Sequence, residues 1–131
     1  MSDKHYNDDE MLQITTSVFN ILDTWKFTGH EIIAVLGMDE KTKPRHLQGY
    51  RNKTKALPQT QNTLARIEHI AGISAALNTM YPMNQTSRYD WLRKPHRRFN
   101  QQTPLHILKQ NINGLQAVRM EVDCGYSWSM T

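Results

Sequence analysis

The chain has 131 residues, with sixteen Lys or Arg against twelve Asp or Glu, and its net charge of +4 is too mild by itself to name a partner. That length makes one ordinary domain, or two small helical ones sharing a core. No apolar run approaches the ~20 residues that a membrane span needs, and the single Cys124 excludes an internal disulfide and suits a reducing cytoplasm.

Residues 1–8 are polar and acidic, the composition of a disordered tail rather than of a secretory signal. From Asp9, the apolar residues Leu12, Ile14, Val18, Phe19, Ile21, Leu22 and Trp25 recur at three- and four-residue spacing. This predicts an amphipathic helix ending near Lys26. Thr28-Gly29-His30-Glu31 reads as a capping box, with Thr28 as N-cap and Glu31 reaching back to it. The apolar run from Ile32 to Leu36 then makes a short central helix, which Gly37 ends as a left-handed C-cap would. Asp39 can cap a further helix beginning at Glu40.

Helix, glycine turn and capped helix outline a helix-turn-helix. If Gly37 is the turn glycine, the second helix should bury the residues six and nine positions later. Lys43 and His46 stand there, with Pro44 between them. Leu47 and Tyr50 could anchor a later helix instead. Residues 28–52 therefore read as a variant with a short, irregular or displaced recognition helix, or as three ordinary helices of a bundle.

The stretch from Lys41 to Lys55 carries Lys41, Lys43, Arg45, Arg51, Lys53 and Lys55 with no acidic residue. Such a run is either a solvated face or a nucleic-acid surface. It coincides with the candidate recognition element, and Gln48, Asn52 and Thr54 add groups suited to phosphates or base edges. The candidate DNA contacts are thus Lys41, Lys43, Arg45, Gln48, Arg51, Asn52, Lys53 and Lys55. A second basic cluster, Arg93-Lys94 and Arg97-Arg98, flanks Pro95 and suits phosphates or an acidic protein surface.

Leu57-Pro58 marks a linker, and Thr60 or Asn62 opens the longest helix. Its stripe of Leu64, Ile67, Ile70, Ala71, Ile73, Leu77 and Met80 is broad enough for both a core and a homodimer contact. Ala71, Gly72, Ala75 and Ala76 are small and permit close helix approach. Ser87 can cap a short helix ending at Trp91 and Leu92 before Pro95. Thr103 can cap the next, with Pro104 at its first position and Leu105, Ile107 and Leu108 toward a core. Asn113-Gly114 supplies a sharp reversal into a last helix from Leu115 to Val122, burying Leu115, Val118 and Val122. Beyond Gly125, Tyr126 and Trp128 should fold back on the protein or enter a partner's pocket.

The sequence holds no phosphate-cradling Gly-rich loop, nucleophile elbow or Cys/His cluster, and its histidines, His5, His30, His46, His69, His96 and His106, include no pair at helical ligand spacing. An enzyme is the least supported class, and neither a metal nor another cofactor is expected.

The ordered series Trp91, Leu92, Pro95, Phe99, Thr103, Pro104, Leu105, Leu108, Gly114, Val118, Arg119, Asp123 and Gly125 resembles the toxin-binding domain of the Xre/MbcA/ParS antitoxins. The resemblance covers residues 60–126 well and 10–55 loosely. It implies an antitoxin of a type II pair, whose partner is a toxin of the RES fold that consumes NAD, together with autoregulation through operator DNA and assembly as a dimer or larger. It also places the closing acidic-x-Gly segment, here Asp123-Cys124-Gly125, at the toxin's active-site mouth. Arg119, Val122, Asp123, Gly125, Tyr126 and Trp128 are then the candidate toxin contacts. Arg119 would meet an acidic rim, or form a structural salt bridge with Glu121, Asp123 or Asp90. Asp123 stands where glutamate is commoner, and Tyr126 where the family usually has an aliphatic residue.

The expected protein is all-α: a multi-helix bundle of a tail (1–8), a helix-turn-helix-like part (9–57) and a short-helix toxin-binding part (58–131). The competing functions are a stand-alone DNA-binding regulator and a protein-binding module whose helix-turn-helix has decayed.

Overall fold

A computed structural model describes the backbone of residues 5–129 and the side chains of residues 5–124. Seven α-helices and two 3-10 turns make up its regular structure. Among the described residues there is no strand, only an isolated antiparallel bridge between His96 and Gln102.

Helix α1 spans Asp8–Thr24 and starts on a capping box in which Asn7 and Glu10 exchange side-chain and backbone hydrogen bonds. The chain is therefore engaged before Asp9: Tyr6 donates its N–H to the Gln59 side chain and accepts from it at 2.9 Å. The acidic residues expected in a tail, Asp8, Asp9 and Glu10, form the first turn, where the helix dipole favours negative charge. At the other end Phe27 donates back to the Leu22 carbonyl and Lys26 takes φ +61, a left-handed helix stop.

Helix α2 (Gly29–Val35) has the expected Thr28–Glu31 capping box, and Gly37 follows it at φ +65. The helix expected from Glu40 does not form. The Asp39 carboxylate accepts from the Lys41 N–H at 2.7 Å in a tight turn, and helical structure resumes at Pro44. Proline is admitted only at a helix start, so the second element begins there as a 3-10 turn, Pro44–Leu47. It continues as α3, Gln48–Arg51. The displaced anchors are those expected: Leu47 is fully buried, and Tyr50 stacks on Phe19 with ring centroids 5.4 Å apart.

The Leu57-Pro58 segment is a packed strap. Leu57 is buried and donates its N–H to the buried Thr15 hydroxyl at 2.9 Å. Helix α4 (Gln61–Met80), capped by Thr60, is the spine of the fold and packs most extensively on α7, then on α1. Helix α5 (Gln85–Arg93) starts earlier than expected, because the Asn84 side chain rather than Ser87 caps it. Its end is closed by His96, whose Nε2 lies 3.0 Å from the Trp91 carbonyl while its ring packs on Trp91 and Phe99. Helix α6 (Pro104–Leu108) has the expected Thr103 cap and first-position proline.

Asn113-Gly114 is not a reversal. Both residues lie in the first turn of α7 (Ile112–Ser129), and the Asn111 side chain caps it by accepting from the Gly114 N–H at 2.9 Å. The helix then runs beyond Val122 and through Gly125. Leu115, Val118 and Val122 are fully buried as expected, in one core with Ile70, Ile73, Leu77, Leu92 and Leu108 that also includes Phe19, Leu22 and Ile32. Both halves of the chain thus share a single core.

The glycine at 114 is required for approach rather than for φ. A Cβ there would collide with the Ile107 carbonyl oxygen and stand 3.0 Å from its carbon. Alanine in a helix ordinarily gains ~1 kcal/mol over glycine, but a backbone carbonyl cannot rotate away. Gly114→Ala is therefore expected to destabilise by about 1–3 kcal/mol, the usual cost of overpacking. Urea unfolding should show a lowered midpoint with an unchanged slope.

Candidate nucleic-acid and partner-binding surfaces

The basic run occupies the turn after α2, the Pro44–Leu47 turn, α3 and the loop that follows. Lys41, Lys43, Arg45, Gln48 and Lys53 are exposed, and none of their side chains makes an ion pair or ring contact among the described residues. The other three candidates are internally engaged. Arg51 donates from Nε and Nη2 to the two Asp23 oxygens at 3.0 and 2.9 Å and lies over the Phe19 ring. Those hydrogen bonds hold its guanidinium charged more firmly than usual. Asn52 spends its amide oxygen on Thr54, and Lys55 sits 4.7 Å over the Tyr50 ring. Arg51 is therefore a clamp between α3 and α1, and the free cations lie on either side of it in sequence.

Gly37 faces Arg66 of α4, whose guanidinium donates to the Val35 carbonyl at 3.1 Å and closes the end of α2. Burial lowers the pKa of that guanidinium. An arginine bound to a helix C-terminus is favourable there, and here it ties α2 to the spine.

On the C-terminal side, Arg119 lies across Gly72 of α4, with Nη1 4.0 Å from Glu68 and 3.4 Å from His69 Nδ1. Its partner is thus none of Glu121, Asp123 and Asp90; Glu121 faces Arg98 at 3.7 Å instead. Val122 is 0% exposed and belongs to the core, not to a surface. Asp123 and Cys124 are exposed on α7 together with Met120, a large apolar side chain that is 63% accessible. The side chains of Gly125, Tyr126 and Trp128 lie outside the described residues. Met120 was absent from the sequence-derived set; its position one turn before Asp123–Cys124 on a helix was the available signal.

A groove of about 1140 Å³ runs between α1 and α4, lined by Ile14, Ser17, Ile21, Leu64, Ala65 and Ala71 among others, with Tyr6 and Gln59 also on its wall. Of the expected α4 stripe, Leu64, Ile67 and Ala71 line this groove. Among the described residues no group of three or more His, Cys, Asp or Glu is placed to hold a metal ion, and no helix is long and apolar enough to cross a membrane.

Residues 76–123 match a family model described as the antitoxin Xre/MbcA/ParS C-terminal toxin-binding domain. The match takes in the end of α4, all of α5 and α6, and α7 as far as Asp123. No curated protein matches the chain.

The surroundings of Arg119 carry a pH dependence. Burial lowers the pKa of His69 below its ordinary value of 6.5, and the Arg119 charge adds to this while Glu68 opposes it. Between that lowered value and 6.5 the unfolded chain binds a proton that the folded chain refuses, so this contribution to stability falls as the pH drops through the window. The urea midpoint should be lower at pH 5.5 than at pH 7.5 in part for this reason, and His69→Gln should narrow the difference.

Proposed function

We propose that this chain, a member of the Xre/MbcA/ParS antitoxin family through its residues 76–123, is the antitoxin of a type II toxin–antitoxin pair. The observation that carries the reading is the toxin-binding-domain match over the α5–α6–α7 unit. Residues 58–131 are the toxin-binding part, and the toxin is of the RES type and consumes NAD. Residues 9–57 are the DNA-facing part, through which the protein represses its own operon.

On this reading the toxin meets the outer face of α7, including its C-terminal residues. Met120, Asp123 and Cys124 are available for contact, and Tyr126 and Trp128 are residue types suited to an interface hot spot, with apolar area and a polar edge. Arg119 and Val122 support that face from behind: one braces α7 on α4, the other fills the core. A second reading, a protein-binding module that no longer reads DNA, is favoured by one feature, a recognition element of only four 3-10 and four α-helical residues. The homodimer is assigned to the α1–α4 groove, whose apolar wall a second copy would cover.

Truncation after Cys124 keeps Leu115, Val118 and Val122, so the shortened chain is expected to fold. Co-expressed with the toxin encoded beside it, it should fail to protect cellular NAD where the full chain succeeds. If the truncated protein protects NAD equally well, the tail is not the inhibitor. For the dimer, light scattering of the full chain should give twice the chain mass, and Leu64→Glu should return it to the monomer with an unchanged circular dichroism spectrum.

A further inference from the structure

Two basic clusters that are separate in the sequence are linked in the fold through the connection between α1 and α2. Pro44, between Lys43 and Arg45, rests on the first turn of α2, where a Cβ added to Gly29 would stand 2.5 Å from the proline Cβ. Three residues before Gly29 is Lys26, and the Lys26 carbonyl accepts from Arg93 Nη2 at 3.2 Å. Arg93 and its neighbour Lys94 belong to the Trp-Leu-Arg-Lys-Pro stretch of the other half of the chain. Lys26 and Gly29 are at most ~11 Å apart by chain length, so cations of both halves lie near the α2 N-terminus.

Among the described residues none of Lys26, Arg93 and Lys94 pairs with a carboxylate. Lys26 Nζ and Arg93 Cζ share the Tyr89 ring, 5.4 and 3.8 Å from its centroid. Two like charges held beside one ring repel unless an anion comes between them. The carboxylates nearest to Lys26 in sequence are already taken, Asp23 by Arg51 and Glu31 by Lys109. Asp90, on the same helix as Arg93, makes no ion pair among the described residues. Lys26 also sits at φ +61, a position glycine or asparagine fills with less strain.

We infer that Lys26, Arg93 and Lys94 form a phosphate-binding extension of the DNA surface, so that the toxin-binding half itself contacts the nucleic-acid backbone beside Lys43 and Arg45. This rests on the DNA reading above and extends it. A duplex backbone is favoured over an acidic protein patch because the site continues the exposed cations of the recognition element. It offers point charges and a guanidinium to phosphate oxygens, without an apolar centre of the kind a protein interface needs.

The test uses the full chain and a 30-base-pair duplex of its own upstream region, with affinity measured across a salt series. Lys26→Asn keeps a residue tolerant of the left-handed conformation, and Lys94→Gln removes a charge from an exposed side chain, so the double variant is expected to keep the wild-type circular dichroism spectrum. Each lost phosphate contact takes about 0.9 from the slope of log K against log salt, so the pair should flatten it by about 1.8. Affinity at the lowest salt should fall with it. A double variant with wild-type slope and affinity overturns the inference and leaves the recognition element as the DNA surface. Wild-type slope with weakened toxin capture overturns it in favour of an acidic protein patch. A wild-type protein that binds no duplex at low salt removes the DNA reading altogether, and this inference with it.

Discussion

The first turn of α7 lies against the carbonyl of Ile107, and at position 114 only a residue without a side chain fits there without collision. Gly114 puts the first turn of α7 directly against the end of α6, and that contact sets the direction in which the helix leaves. With the direction set, Leu115, Val118 and Val122 at helical spacing all enter the core shared with α4. Three fully buried side chains of this kind contribute about 1.5–3 kcal/mol each, a large part of what holds the short helices α5 and α6 in place. Neither α5 nor α6 is long enough to persist alone. They are ordered because α7 closes over them and because Asn84, Thr103 and Asn111 satisfy their exposed N–H groups and those of α7.

Helix α4 transmits that order to the other half. It offers Ile67, Ile70, Ile73 and Leu77 to the core, and two arginine contacts tie it to different partners. Arg66, on α4, closes the last turn of α2; Arg119, from α7, lies over Gly72. A shift of α7 along α4 would disturb Arg119 first, and a shift of α4 would release the Val35 carbonyl. The two surfaces of the molecule are therefore anchored to one rigid element, and no flexible linker separates them, since Leu57 is itself buried and hydrogen-bonded to Thr15.

Much of this was legible from local chemistry. The caps at Thr28 and Thr103, the left-handed Gly37 and the first-position Pro104 depend on residues within four positions of one another and form as the sequence predicts, while of the two openings offered for α4, Thr60 and Asn62, Thr60 is the cap. The displaced anchors Leu47 and Tyr50 were readable because Lys43 and His46 cannot serve as core residues. The errors share a different cause. Asn113-Gly114 is the commonest turn dipeptide, and whether its glycine serves φ or close approach depends on Ile107, which sequence spacing does not bring near. Ser87 and Asn84 are both competent caps, and the choice follows from where α4 ends. The ion pairs of Arg51, Arg119 and Glu121 join residues far apart in the chain or choose among several equal neighbours, so charge pattern alone could not assign them. Val122 carried two expectations, core by its helical phase and toxin contact by its place beside Asp123-Cys124-Gly125, and the structure puts it in the core.

The Pro44–Arg51 element shows why the candidate site is built from charge rather than from shape. Pro44 delays the helix, and Lys43 and His46 remove two of its anchors, leaving Leu47 and Tyr50. Eight residues with two anchors cannot hold their own backbone order against chain entropy. Their geometry is therefore imposed from outside, by Pro44 against Gly29, by Tyr50 stacked on Phe19, and by the paired hydrogen bonds of Arg51 to Asp23. Reading base edges needs side chains presented on a helix long enough to lie in the major groove, with bidentate geometry at each contact. One turn of 3-10 followed by one of α-helix presents only Arg45 and Gln48 with that chemistry, since Asn52 is bound to Thr54. What it does present freely is Lys41, Lys43, Arg45 and Lys53, cations on flexible stems, and phosphates ask for no more than that. If this chain returns to one operator among many sequences, the discrimination must then come from the spacing of two copies in a dimer or from the shape of the duplex, with the charge supplying affinity.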